Sequence, residues 1–313
     1  MPTRDCCKLL FRTPDCDLIR EEARYAISLS SQKEGMVMLD HAVVIYCVCD
    51  EVCQSLNIRD DIQCKMTSAE VMTFAILSAM VFGCDYKRTR LIAQYQRFFS
   101  TILSHSQLVR RIHRIDQQAW TMTFLALRFL LRDSGKKTFI VDSFPIKAFE
   151  NHKSFRARIF RRKEYHGYTS SRKQFFFGIK VHMIVDENGV PIEFSFTPGS
   201  VADISALRNL TLDLPEGSIL LGDRAYTDYL LEDTLREVDQ IYLVARRKAK
   251  MVRQHGDSER ILLRTKRNRI ESVFSSITSR MPRHLKVRTE KGFFLKITFF
   301  ILAYMIQLYH PLG

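Results

Sequence analysis

The chain is short of acid. Against 48 Lys and Arg it sets only 34 Asp and Glu, a formal charge of +14 over 313 residues. That imbalance favours a polyanionic partner, nucleic acid before an anionic membrane surface. Thiols are missing from most of the sequence. All 8 cysteines fall between Cys6 and Cys84, and no two of them are spaced Cys-x-x-Cys. The spacing supplies no zinc ribbon, and Cys49 and Cys53, four apart on one helical face, read as core thiols. A reducing, intracellular compartment fits. Long apolar runs are also absent. Leu9–Phe11 is too short for a signal core, and Ile297–Ile306 is too short to span a bilayer and reads as a buried helix. No membrane partner is expected. No internal repeat or low-complexity tract interrupts the chain.

What is present is a hydrophobic fraction of 46% and a change of period part-way along. Residues 1–37 carry mixed charge and no clean period, and read as a poorly ordered extension. From 38 to 133 the period is helical. Val43, Val44, Cys47, Val52 and Leu56 suit one buried face. Thr67 and Glu70 form a capping box that opens a second helix, and Gly83 stops it. A third helix is predicted over about 86–103. A fourth, opening after Ser104 or Ser106, is predicted to run to about Arg132. Arg110, Arg111 and Arg114 cluster near its start, and the pair reads as a helix-turn-helix or as a plain bundle with a basic face.

After the loop at 133–136 the pattern turns to strands. Phe139–Val141 is a short apolar strand ending at Asp142. Residues 174–185 and 191–196 form a hairpin around Asn188-Gly189. A helix over about 202–210 precedes a strand at 218–222 that ends at Asp223. A helix near 226–237, a strand at 241–245, a helix carrying Glu271 and a closing helix over about 290–309 complete the domain, 134–313. The fold class is α/β: a mixed five-stranded sheet flanked by helices, with an antiparallel meander and parallel crossovers, behind an all-α region.

Asp142, Asp223 and Glu271 are the candidate catalytic residues. Two strand-end carboxylates on neighbouring strands, with a Glu on a helix packed across them, repel one another unless cations neutralise them. Oxygen ligands favour Mg²⁺ or Mn²⁺. Two such ions roughly 3.5–4 Å apart clamp the attacking and leaving oxygens of a phosphodiester. Taken singly, Asp142 is a turn former, Asp223 a helix cap and Glu271 a partner for Arg267; their order and their elements argue for the joint role.

Basic residues crowd an insertion at about 147–173, where Arg156, Arg158, Arg161, Arg162 and Lys163 alternate with Phe149, Phe155, Phe160 and Tyr165. Such a segment neutralises phosphates and stacks on unpaired bases. Further runs include Arg246 and Arg247, then Arg264 and Arg267. These residues, with Lys180 facing the site, are the candidate DNA contacts. Asp203 reads as a helix N-cap, with a supporting role at the site as the alternative.

Five segments resemble, in order, those of DDE transposases of bacterial insertion sequences. They are Val-Asp-Ser-Phe-Pro-Ile at 141–146, Lys-Val-His-Met-Ile-Val at 180–185, Pro-Gly-Ser-Val-Ala-Asp at 198–203, Gly-Asp-Arg-Ala-Tyr at 222–226 and Arg-Asn-Arg-Ile-Glu-Ser-Val-Phe at 267–274. The resemblance implies an RNase H-like catalytic domain with Asp142, Asp223 and Glu271 as ligands of two Mg²⁺ or Mn²⁺ ions. It implies cleavage at element ends and transfer of the freed 3′-hydroxyl to target DNA. The partners are then the element's terminal inverted repeats and the target DNA, with a homodimer in the complex and a cytoplasmic, nucleoid-associated location. Many relatives carry Tyr-Arg-Glu-Lys on the last catalytic helix; here Arg264 and Thr278 stand in the Tyr and Lys slots, and Arg267 fits the Arg slot. The rival readings are a structure-specific nuclease of the same fold and a catalytically inactive or repurposed DNA-binding protein.

Overall fold

The computed structural model describes residues 34–310 except 134, 136, 150–158, 170–173 and 211. It divides into two compact units. One takes in the chain up to Leu130 and again from Leu295; the other is Leu131–Phe294. Packing groups residues 295–310 with the helices, whereas the sequence reading counted 295–313 in the domain of the sheet.

The helical unit holds α1 (Glu34–Ser55), α2 (Ser68–Phe82), α3 (Tyr86–Tyr95), α4 (His105–Arg114), α5 (Gln117–Leu131) and most of α10 (Glu290–Tyr309). Of the extension expected over 1–37, only the last four residues are described, and they open α1. The capping box of α2 forms as the spacing predicts: the Glu70 N–H donates to Thr67 Oγ1 at 3.1 Å and the Thr67 N–H to Glu70 Oε2 at 2.7 Å. Gly83 then stops the helix at φ 57°, a left-handed conformation that favours glycine. Two helices are shorter than their apolar period suggests. The third ends at Tyr95, because Arg97 turns left-handed and the Phe98 N–H reaches back to the Ala93 carbonyl. The fourth breaks in two at Ile115–Asp116, where Asp116 accepts from the Gln118 N–H at 2.7 Å and starts α5 afresh. Local side-chain caps override a continuous hydrophobic stripe at that break.

α2 is buried nearly all round, and so is α10 from Ile297 to Ile306. Trp120 of α5 lies 4.6 Å from Phe299 of α10, ring to ring. By length and composition α10 would cross a bilayer, but 78% of its apolar window is buried inside the protein. It is long enough after all, and its surroundings make it a core helix. Among the described residues Cys49, Cys53, Cys64 and Cys84 form no disulfide. Burial pushes Cys49 above the usual thiol range and Cys53 to about 11, which fits packing rather than metal binding.

The second unit is built on β1 (Thr138–Phe149), β2 (His166–Thr169), β3 (Gln174–Asp186), β4 (Pro191–Pro198), β5 (Ile219–Gly222) and β6 (Tyr242–Ala245). The order is β2-β3-β1-β5-β6, with β4 also paired to β3. β1 takes one side of β3, so β2 and β4 share the other. β1, β3 and β4 form an antiparallel meander, and β5 and β6 join in parallel. This is the mixed RNase H-like sheet, with one short strand more than the five expected. The hairpin turns at Gly189 (φ 88°), and Asp186 accepts from the Asn188 and Val190 N–H groups at 2.9 and 2.8 Å.

β1 is much longer than its apolar run. It passes Asp142 and continues to Phe149, because β3 pairs with it throughout. Near its end it carries a bulge between Lys147 and Phe149, opposite Gly178. A Cβ on Gly178 would lie 2.1 Å from the Ile146 carbonyl oxygen, which the paired backbone cannot relieve. Gly178→Ala should cost about 2–3 kcal/mol of stability, as overpacking does; urea unfolding checks this, and an unchanged midpoint would contradict it.

Candidate active site

The parallel ladder between β1 and β5 ends where Ile140 faces Leu221. Asp142 and Asp223 each stand two residues further on. Extending the register places them level on neighbouring strands, about 4.8 Å apart in backbone spacing. On the β3 side Asp142 is still paired, opposite Met183. Asp142 is therefore within a strand and not at its end, as the sequence had suggested. It lies at an edge only because β5 stops beside it.

The helices that follow complete the site: α6 (Asp203–Asn209), α7 (Tyr229–Val238), α8 (Asp257–Thr265) and α9 (Asn268–Thr278). α9 buries Ile270, Val273, Phe274 and Ile277 at helical spacing. Phe274 meets Phe144 of β1 with ring centroids 4.4 Å apart. The helix entrance is pinned to the hairpin turn on both flanks of Arg267. Lys266 pairs with Glu187 at 2.9 Å, and Arg269 donates to the Asn188 carbonyl at 2.6 Å.

Thus held, Arg267 points at Asp142, with NH2 3.3 Å from Oδ2. Glu271, one turn on, is exposed and makes no hydrogen bond or ion pair with any described residue. Its pairing with Arg267, the bland alternative, does not form. Asp223 spends one oxygen on the Ala225 N–H at 2.7 Å, capping a short 3₁₀ turn at Arg224–Tyr226. Burial pushes the Asp142 carboxyl up to about 6; the Ser143 N–H and Arg267 pull it down, and the charge of Asp223 pushes it up again. The two Asp thus feel one another, and Arg267 offsets part of their repulsion.

A supporting network lies behind them. Asp203 is at the first position of α6 and caps nothing. It accepts from Ser143 Oγ at 2.9 Å and from Lys180 Nζ at 3.1 Å. His182, buried and held neutral by burial at about 4, bonds Thr197 Oγ1 at 2.7 Å. Burial, then Asp203, Asp142 and Asp223 in turn, drive the Tyr226 phenol well above its usual pKa. Its buried hydroxyl, set beside Ser143, makes no hydrogen bond of good geometry. Ser143 was given no role from the sequence, since a lone serine in a strand carries no signal.

The remaining candidates separate by what they already hold. Arg111 is taken up inside the helical unit by Asp60 (2.8 Å), Cys64 Sγ (2.8 Å) and the Met66 carbonyl (3.2 Å). Arg247 is paired with Glu232, both side chains being buried. Lys180 is held by Asp203 and the Val201 carbonyl. Arg110 and Arg114 are exposed on α4; Arg161, Arg162 and Lys163 are exposed, Arg162 with Glu164 at 3.8 Å. Arg156 and Arg158 lie outside the described residues. Arg246, Arg264 and Arg267 line one cleft of about 420 Å³ together with Arg260, His255 and Asn268.

The conserved pattern of the transposase DDE domain family matches residues 133–306, more than half of the chain. The chain belongs to the DDE transposase family. Among curated proteins none matches it. The transposase domain's sheet order and its acidic pair at the β1–β5 edge agree with that membership. Hard, level carboxylate oxygens in mutual repulsion fit a divalent cation, and the second oxygen of Asp223 has no protein partner among the described residues. Among those residues no three His, Cys, Asp or Glu groups are yet gathered around one point. Glu271 stands apart from the Asp pair, and Arg267 fills the space beside Asp142.

The raised Asp142 pKa has a consequence for stability. An ordinary carboxyl titrates near pH 4, so protonated Asp142 stabilises the fold below about pH 4. That contribution is lost as pH rises through about 6. Relative to wild type, Asp142→Asn should gain about 1–3 kcal/mol between pH 4 and pH 7.5. Thermal melts at the two pH values check this; an identical difference at both would contradict it.

Proposed function

We propose that this transposase cleaves DNA at the ends of an insertion sequence and joins the freed 3′-hydroxyl to target DNA, with Asp142, Asp223 and Glu271 as the catalytic carboxylates. The observation that carries the reading is the level pair Asp142 and Asp223 at the edge where β5 stops, with α9 and its unpartnered Glu271 packed across the same strand. Asp142 and Asp223 would hold Mg²⁺ or Mn²⁺, with Glu271 as the further ligand. Ions bound there would activate the attacking oxygen and stabilise the leaving one.

The chain's own groups do the rest. Asp203, itself held by Lys180, anchors Ser143, the residue after Asp142 on β1. The hairpin clamp by Lys266 and Arg269 keeps α9, and so Glu271, over β1. The exposed cations Arg110 and Arg114 on α4, and Arg161, Arg162 and Lys163 on the insertion, would position duplex backbone without reading its sequence. Two element ends have to be processed together, which calls for a dimer of this chain in the DNA complex.

Asp142→Ala, Asp223→Ala and Glu271→Ala should each reduce nicking of a labelled duplex bearing the terminal repeats to background. Any double variant should be no worse than a single one, because the three act as a unit. Binding of the same duplex in a gel-shift assay should persist. Nicking that survives any one of these changes would remove that residue from the site. With pre-cut ends, joined product separates a transposase from a nuclease that stops at hydrolysis.

A further inference from the structure

The basic cleft beside the acidic pair has a feature that the proposed cleavage reaction does not use. Its walls carry Arg246, Arg260, Arg264, His255 and Asn268, and Arg267 forms one side. Among the described residues no Asp or Glu lines it, and Arg247, also in its wall, is paired with Glu232. The guanidinium groups of Arg246 and Arg264 have no ion pair or hydrogen bond with any described residue. Arg260 reaches only Asp257, at 3.4 Å and in the open. The cations on either side of Arg267, by contrast, are spent on the hairpin turn. The cleft therefore concentrates the unpaired positive charge of this stretch in one concave place.

Arg267 belongs to both sites. Its NH2 contacts Asp142, while its Nε is buried with no hydrogen-bond partner. A guanidinium presents a planar fork of donors suited to a phosphate. A buried donor left unsatisfied is costly and calls for an acceptor. The Asp142 contact is a single bond at 3.3 Å, weaker than a forked pair.

Resting on the reading of Asp142 and Asp223 as ion ligands, we infer that the cleft seats a phosphate of the DNA strand and that Arg267 is shared between that phosphate and Asp142. Without DNA, Arg267 shields Asp142 and competes with the divalent ion. With a strand phosphate in the cleft, Arg267 turns to it and uncovers the carboxylate pair. Strand binding and ion binding are then coupled, and the coupling is reciprocal.

Binding of Mn²⁺ to the full chain, followed by the spectrum of the free ion, tests this without any turnover. Ions bound by a short oligonucleotide alone are subtracted. Wild type should bind Mn²⁺ weakly, and the oligonucleotide should tighten it by about fivefold or more, the lower end of ordinary coupling. Inorganic phosphate at the same concentration should not. Arg267→Gln should bind Mn²⁺ about fivefold more tightly than wild type with no DNA present, and should gain little from the oligonucleotide. Arg264→Gln removes the same charge from the cleft without touching Asp142. It should leave Mn²⁺ weakly bound and blunt the response to DNA. Arg267→Lys, which keeps the charge but not the fork, should likewise bind weakly and respond poorly, and it serves if the Gln variant does not fold.

The inference is overturned if Arg267→Gln binds Mn²⁺ no better than wild type. It is equally overturned if Arg264→Gln tightens the ion as much, which would mean bulk charge alone, or if inorganic phosphate matches the oligonucleotide. An Asp142→Asn, Asp223→Asn double variant that still binds Mn²⁺ as wild type does would instead overturn the reading of the carboxylates beneath it.

Discussion

Two negative charges brought level on adjacent strands is the constraint from which the site follows. β5 stops pairing with β1 at Leu221, and two residues beyond the last pair each strand's chain carries an aspartate. Left alone the pair would repel, and burial makes the repulsion stronger by weakening the screening of water. Arg267 offsets part of it, and the position of Arg267 is in turn fixed by its neighbours' grip on the β3–β4 turn. The hairpin, α9 and the two aspartates are thus tied to one another by charge as well as by the Phe144–Phe274 contact.

The same logic sorts the cations. A net charge of +14 says that basic residues are in excess, but not which of them are available. Arg111, Lys180, Arg247, Lys266 and Arg269 are engaged with acceptors of the protein itself. Exposed cations stand on α4 and at the insertion, and others line the cleft beside the acidic edge. Positive charge near the acidic pair is therefore scarcer than the composition suggests.

Much of this was legible in the sequence, and the failures have physical causes. Elements bounded by strong local signals came out closely: the Thr67–Glu70 box, the Gly83 stop, the Asn188-Gly189 turn and the closing helix. β1 was read as ending at Asp142, because an apolar run records burial, whereas the strand's length is set by pairing with β3. α4 and α5 were read as one helix, because an apolar period runs across the Asp116 cap. Asp203 was read as a cap, with a supporting role at the site as the alternative; only the fold decides between them, by bringing Lys180 and Ser143 to it. The order of the acidic residues was visible from the start. That Arg267 would face Asp142, and that Glu271 would stand free, depends on the pitch of α9 over β1, and no spacing rule reports that.

The central claim is that Asp142, Asp223 and Glu271 hold the reacting ions together. A crystal structure of the full chain with Mn²⁺ and a pre-cut DNA end, with anomalous scattering to locate the metal, addresses it directly. The account predicts manganese between Asp142 and Asp223, Glu271 turned in toward it, and Arg267 withdrawn from Asp142. Manganese bound elsewhere, with Arg267 still on Asp142 and Glu271 still in solvent while DNA occupies the protein, would contradict it.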